Sequence, residues 1–261
     1  KTMVGSSEAF LTAVNLAKQV APTDSIVLLT GETGTGKEVF AQSIHQESNR
    51  RDKAFVAVNC ATFGKDLLES ELFGHQKGAF TGAIKDKIGF FDEANEGTLF
   101  LDEIGEMEVA LQAKLLRVIE TGEFIRVGDT KPTRVDIRII AATNRELQKE
   151  IVDNRFREDL YYRLAVFDIK LPSLRERSSD IEELSLNFLN LLSAKMGKSI
   201  KGIEPQAMEV LKNHTWKGNI RELKNIIERA VILCNENSLT LRHLPVELGN
   251  PSDEKGTLTS F

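Results

Sequence analysis

The chain has 261 residues, 41% of them hydrophobic and 28% charged, with a formal net charge of −5. That balance suits one large or two modest globular domains, and the negative charge argues against a domain that grips nucleic acid by itself through counterion release. No apolar stretch approaches the length needed to cross a bilayer and the N-terminal stretch carries no signal-peptide core, so a cytoplasmic setting is expected.

In chain order, apolar residues at Phe10, Leu11, Val14, Leu16, Ala17 and Val20 give a helical period over Ser6 to Val20, with Ser6 or Ser7 as the cap. The apolar run Ser25 to Thr30 then reads as a strand. Behind it stand Gly31, Glu32, Thr33, Gly34, Thr35, Gly36, Lys37 and Glu38, followed by a helical stretch from Val39. Strand, glycine-rich loop and helix N-terminus together make a phosphate cradle: backbone N–H groups turn toward the anion and Lys37 reaches the β- and γ-phosphates. A bound nucleoside triphosphate, ATP, is the first expectation. Glu38 stands where such loops usually carry Ser or Thr, so the usual hydroxyl ligand for Mg²⁺ is missing.

Further strands are expected at Ala54 to Val58, Thr98 to Leu101, Ile137 to Ala142 and Val166 to Lys170, alternating with helices at Val39 to Glu47, Leu67 to Leu72 and Leu111 to Thr121. Alternation of this kind predicts an α/β fold, a parallel sheet covered by helices. The strand from Thr98 ends in Asp102 and Glu103, at the edge where such sheets bind ligands. One carboxylate suits Mg²⁺ through water, and its neighbour suits orienting or deprotonating the attacking water. Asn144, at the end of another apolar strand, suits a polar sensor near the γ-phosphate; Asn59 ends a strand of its own, with a simple hydrogen-bonding role as the alternative.

After Pro172 the pattern turns to helices alone, at Asp180 to Met196, Pro205 to Asn213 and Asn219 to Leu233. The expected domains are a nucleotide-binding core over 1–172, a smaller all-helical lid over 173–248 and a linker-like tail over 249–261. Cys60 and Cys234 lie far apart without zinc spacing and read as reduced, buried thiols. The four histidines form no ligand spacing either.

Three further stretches sharpen this reading. Residues 69–83 contain Gly78, Ala79, Phe80, Thr81, Gly82 and Ala83, residues 156–164 contain Arg157 and Arg163, and residues 216–224 contain Arg221. Together with the phosphate loop they resemble the central AAA+ ATPase domain of bacterial enhancer-binding proteins, the activators of sigma-54 RNA polymerase, from about Val4 to about Leu244. Taken alone, Phe80 on a Gly-flanked loop is either a contact tip or a ring folded back onto its own surface. The resemblance implies that Gly78 to Ala83 contacts sigma-54 and moves with the nucleotide state. It implies that Arg157 and Arg163 reach a neighbouring subunit's γ-phosphate in a hexameric or heptameric ring, and that Asn59 restrains Glu103. It also places Val4, Gly5, Val39 and Arg221 at the nucleotide.

The implied activity is ATP hydrolysis coupled to promoter opening, with DNA held mainly by a domain outside this chain, which looks like the central domain alone. Rival readings are another AAA+ machine, such as a clamp loader or helicase motor, and a scaffold that binds ATP without hydrolysing it. The Gly78 to Ala83 element speaks against the first and Glu103 against the second.

Overall fold

The computed structural model describes residues 3–249, and the expected tail, apart from Gly249, lies outside them. The elements run α1 (Glu8–Val20), β1 (Val27–Thr30), α2 (Lys37–Gln46), β2 (Phe55–Asn59), α3 (Lys65–Phe73), α4 (Phe90–Glu93), β3 (Thr98–Asp102), α5 (Val109–Thr121), β4 (Glu123–Ile125), β5 (Pro132–Arg134), β6 (Arg138–Thr143), α6 (Leu147–Val152), α7 (Glu158–Leu164) and β7 (Phe167–Lys170). There follow α8 (Ile181–Lys195), β8 (Gly202–Ile203), α9 (Pro205–Asn213), α10 (Asn219–Leu233), β9 (Ser238–Leu239) and α11 (Val246–Gly249). The chain divides into two compact units. Among the described residues, one holds Thr12–Glu32 and Lys37–Leu171; the other holds Met3–Leu11, Thr33–Gly36 and residues 172–249.

The first unit is built on a five-stranded, wholly parallel sheet in the order β2-β3-β6-β1-β7. Its central strands read as continuous apolar runs because both faces are covered: every residue of β6 is buried, as are Thr98 to Leu101 of β3. On one face Leu28, Leu99, Leu101, Ile139 and Ala141 join Leu72 and Phe73 of α3, Phe91 of α4, Leu111, Leu115 and Val118 of α5, and Leu160 and Leu164 of α7. The α5 residues recur at helical spacing, and the helix stops at Gly122, which takes the left-handed conformation (φ 69°) and returns its N–H to Val118. Thr98 and Phe100 point to the opposite face, where His45 of α2 meets Thr98 at 2.9 Å and Phe55 stacks on Phe100. Burial lowers the His45 pKa. Arg138, also buried, closes α1 by donating to the Val20 and Ala21 carbonyls at 2.8 and 2.7 Å.

The second unit is helical, with one two-residue parallel pair, β8 with β9, that the sequence reading lacks. Its core gathers Leu184, Leu189 and Leu192 of α8 with Leu223, Ile227, Ala230 and Val231 of α10 around the fully buried Trp216, whose indole N–H donates to the Leu211 carbonyl at 2.8 Å. Lys198 donates to the carbonyls of Val231, Ile232 and Cys234, satisfying the C-terminal end of α10.

The start of α1 differs from expectation. Ser6 and Ser7 do not cap it with their hydroxyls; Asp180 accepts both of their backbone N–H groups at 2.8 Å and the Ser7 hydroxyl at 2.7 Å. Arg177 pairs with Asp180 at 2.8 Å, donates to the Val4 carbonyl and lies over the Phe10 ring. Both charges are buried, and the hydrogen bonds they make to Val4, Ser6 and Ser7 fix this segment's register.

Candidate active site

The first unit brings Lys37, Asp102, Glu103 and Asn144 together at the C-terminal edge of the sheet. Lys37 is the first residue of α2 and is buried, and its ammonium donates to the Gly31 and Glu32 carbonyls at 2.9 and 3.1 Å. Asp102 ends β3, opposite Asn59 of β2, and accepts the backbone N–H of Glu103 at 2.9 Å. Glu103 itself takes a left-handed backbone conformation (φ 53°, ψ 46°), uncommon for any residue but glycine. That backbone turns the chain out of the strand into a short 3₁₀ turn over Ile104–Glu106. Strain of this kind persists where the surrounding structure dictates it, and it gathers at functional sites.

Burial is the main cause that raises the Glu103 pKa; the Lys37 charge and an N–H from the Asn144 backbone oppose it, while Asp102 adds to it. A half-buried carboxyl tuned upward beside a lysine is a pattern found in general bases. Cys60 lies nearby, with its N–H on the Asp102 carbonyl, but burial pushes its thiol up to about 12, so it stays an unreactive thiol. Asn59 is exposed, and its side-chain oxygen accepts the Ala61 N–H at 2.8 Å. That is the strand-end role; no contact to Glu103 accompanies it.

Glu38 is exposed and accepts a hydrogen bond from Gln42 at 2.9 Å, and Val39 is half-buried on the same helix. The loop tip Thr33–Gly36 groups with the second unit, as do Val4, Gly5 and Arg221. There the Asn219 side chain donates to the Thr33 carbonyl at 3.0 Å, and the Arg221 backbone N–H to Gly34 at 3.3 Å. Gly34 admits no side chain: with φ at 82°, an added Cβ would sit 2.2 Å from the Gly218 carbonyl oxygen. Asn219, fully buried and also accepting the Leu174 N–H, was not singled out from sequence.

Arg157 and Arg163 stand at the two ends of α7, paired not with Asp102 or Glu103 but with Asp159 at 2.8 Å and Glu120 at 3.2 Å. Their side chains are 39% and 59% exposed, available to a second molecule.

The Gly78–Ala83 segment is the tip of an excursion that leaves and rejoins the unit at one neck. His75 bridges Lys87 and Val127, and Gly74 and Gly89 cross so closely that a Cβ on Gly89 would lie 2.3 Å from the Gly74 nitrogen. At the tip Gly78 (φ 82°) and Gly82 (φ 103°) take conformations suited to glycine, and the Gly78 N–H donates to the Ala83 carbonyl. The Phe80 ring meets His75 edge-on at 4.9 Å yet remains 44% exposed. Ala83 turns inward, and Ile84 and Ile88, both strongly exposed, extend the apolar surface beyond the segment the sequence singled out. The β4–β5 hairpin supports the excursion, with Gln76 donating to Val127 and Val127 to Gly74.

Residues 3–170 match the sigma-54 interaction domain family, and residues 175–260 match an AAA+ ATPase lid domain. The transcriptional regulatory protein ZraR of Salmonella typhimurium is 50% identical over 94% of this chain and 56% of its own length. The formate hydrogenlyase transcriptional activator FhlA of Escherichia coli is 48% identical over 95% of this chain and 36% of its own. The chain thus spans about half the length, or less, of these relatives. Among solved structures, NtrX from Brucella abortus in complex with ADP superposes with a TM-score of 0.89 at 38% identity, covering 97% of this chain and 58% of that one. Its complex with ATP gives 0.87. Among the described residues no helix is long and apolar enough to cross a membrane.

Proposed function

The chain belongs to the sigma-54 interaction domain family, and from that premise we propose that it is an ATP-hydrolysing AAA+ activator that drives promoter opening by sigma-54 RNA polymerase. The observation that carries the hydrolytic part is Glu103: a strained, half-buried carboxyl with its pKa raised, beside Lys37 and held by Asn144. In this reading Gly31–Lys37 cradle the phosphates and Lys37 neutralises charge on the β- and γ-oxygens. Glu103 takes the proton of the attacking water and Asn144 keeps the carboxylate aimed. Val4, Gly5, Val39 and Arg221 complete the set of nucleotide contacts, and Asn59 restrains Glu103 once nucleotide binds.

Asp102 presents a half-buried carboxylate at a strand end, the hard oxygen donor that Mg²⁺ takes alongside waters and phosphates, so the site fits that ion, held through water. Bound there, Mg²⁺ would neutralise developing charge on the phosphates. Glu38 stands at the position after Lys37 where such loops usually supply a hydroxyl ligand.

Arg157 and Arg163, exposed and remote in their pairing from Glu103, would serve the γ-phosphate of a neighbouring protomer in a hexameric or heptameric ring. Phe80 and Thr81 would contact sigma-54, with Ile84 and Ile88 widening the apolar surface. Residues 1–172 then act as the motor core and 173–248 as the lid, in a bacterial cytoplasm, with DNA held by parts outside this chain.

The test is complex formation with purified sigma-54 in ADP plus aluminium fluoride, in ADP alone and without nucleotide. A complex confined to the transition-state mimic and lost on Thr81→Ala is expected. No complex in any state, with hydrolysis intact, would leave a motor with another client.

A further inference from the structure

Gln112 is polar and fully buried, in the first turns of α5, and nothing in the reaction outlined above uses it. Its side-chain amide is nevertheless fully engaged. The Nε2 group donates to the Met107 carbonyl at 2.7 Å and to the Arg155 carbonyl at 3.0 Å, while Oε1 accepts the backbone N–H of Arg157 at 2.8 Å. One side chain thus ties together α5, the turn that follows Glu103 and the backbone on both sides of Phe156. Met107 closes that turn by donating its own N–H to Ile104, and Glu106 donates to the Glu103 carbonyl. Arg157 is the residue from which α7 starts, in an extended conformation (φ −79°, ψ 130°), so its backbone N–H sits where the chain enters the helix.

A buried amide with both donors and its acceptor satisfied is costly to replace by any other side chain, since each lost bond leaves a desolvated backbone group. The surroundings reinforce the same frame: Glu150 binds Arg155 at 2.8 Å and Arg145 at 3.1 Å, and Arg145 also pairs with Glu106.

We propose that Gln112 is a positioning residue that fixes the backbone at Arg157 relative to the Glu103 turn of its own protomer, so that Arg157 is delivered in register to the neighbouring protomer's active site. This rests on the reading of Arg157 as acting across a subunit boundary. Gln112 never touches nucleotide. Its loss should therefore impair the site next door and spare the phosphate-binding groups of its own chain.

The experiment is trans-complementation with the chain as it stands. Gln112→Met removes the hydrogen bonds at nearly constant volume; a misplaced arginine should lower kcat by about 10²-fold while KM for ATP shifts less than about threefold. Glu103→Gln protomers lack the base but deliver an intact Arg157. Mixed with Gln112→Met protomers before ATP is added, they should restore hydrolysis well above the weighted sum of the two alone, because the Gln112→Met site then receives a correctly placed arginine.

Arg157→Ala mixed with Glu103→Gln is the reference pair. If that pair recovers and the Gln112→Met pair does not, Gln112 serves only its own protomer and the proposal is overturned. If neither recovers, Arg157 does not act in trans and the proposal falls with that reading. Gln112→Glu keeps the acceptor for the Arg157 N–H and loses the amide donors; should Gln112→Met fail to melt cooperatively, it takes the same place in the mixtures with the same expected recovery.

Discussion

The end of β3 and the Gly78–Ala83 tip hold the most informative residues of the chain, and they are built in opposite ways. Asp102 and Glu103 close a strand whose preceding residues are buried on both faces, between neighbours that are themselves strands. The tip hangs from a single glycine neck, with one ring contact and a few backbone bonds, and presents Phe80, Ile84 and Ile88 to solvent. In the proposed function, chemistry that depends on sub-ångström placement would sit on the sheet, and the surface offered to a partner would sit on a loop whose fold-stabilising contacts are few.

Substitutions should separate the two regions in a graded order. Glu103→Gln should lower hydrolysis by about 10²–10⁴-fold, as for loss of a general base, measured as steady-state phosphate release. Because the Glu103 carboxyl titrates above its ordinary value of 4.5, the acid limb of kcat/KM should lie above that pH and vanish in the variant. Phe91→Ala, fully buried and stacked on Phe73, should cost about 3–5 kcal/mol in a denaturant melt. Gly89→Ala, which drives a methyl into the Gly74 backbone, should cost about 1–3 kcal/mol and show first as faster proteolysis within residues 75–88.

Glu150 supplies a pH handle on the sheet side. Arg155, then Arg145, hold its carboxyl down at about 2 against an ordinary 4.5, so the stability it contributes is present above 4.5 and lost as pH falls toward 2. Glu150→Gln should flatten the wild-type stability curve over that window. The smallest effect is expected at the tip: Phe80→Ala should change stability by about 1 kcal/mol or less, since the ring is half-exposed with one aromatic neighbour. A loss as large as that of Phe91→Ala would show that the tip is part of the core.

Much of the scaffold was legible because its signals are local. The strands of the sheet, α2, α5, α9 and α10 follow from apolar runs, a helical period, Pro205 and Gly122. The elements that escaped are α4, α6, α7, α11, the β4–β5 hairpin and the β8–β9 pair, each too short for a period to register. At the site, Lys37 was singled out from the glycine-rich loop, and Asp102, Glu103 and Asn144 from their positions at or just past strand ends. Asn219, Gln112 and Glu150 were not, because a lone polar residue gives no sign in the sequence of being buried.

By itself the sequence determined the element types, the phosphate loop, the acidic strand end and the glycine-flanked tip, all written within a few residues of chain. Only the tertiary structure decided that Asp180 rather than a serine hydroxyl closes the start of α1, that Glu103 is forced into a left-handed backbone, and that one buried glutamine ties Met107, Arg155 and Arg157 together. Those outcomes depend on hydrogen bonds between residues far apart in the chain. A buried polar group must find its partner wherever the fold supplies one.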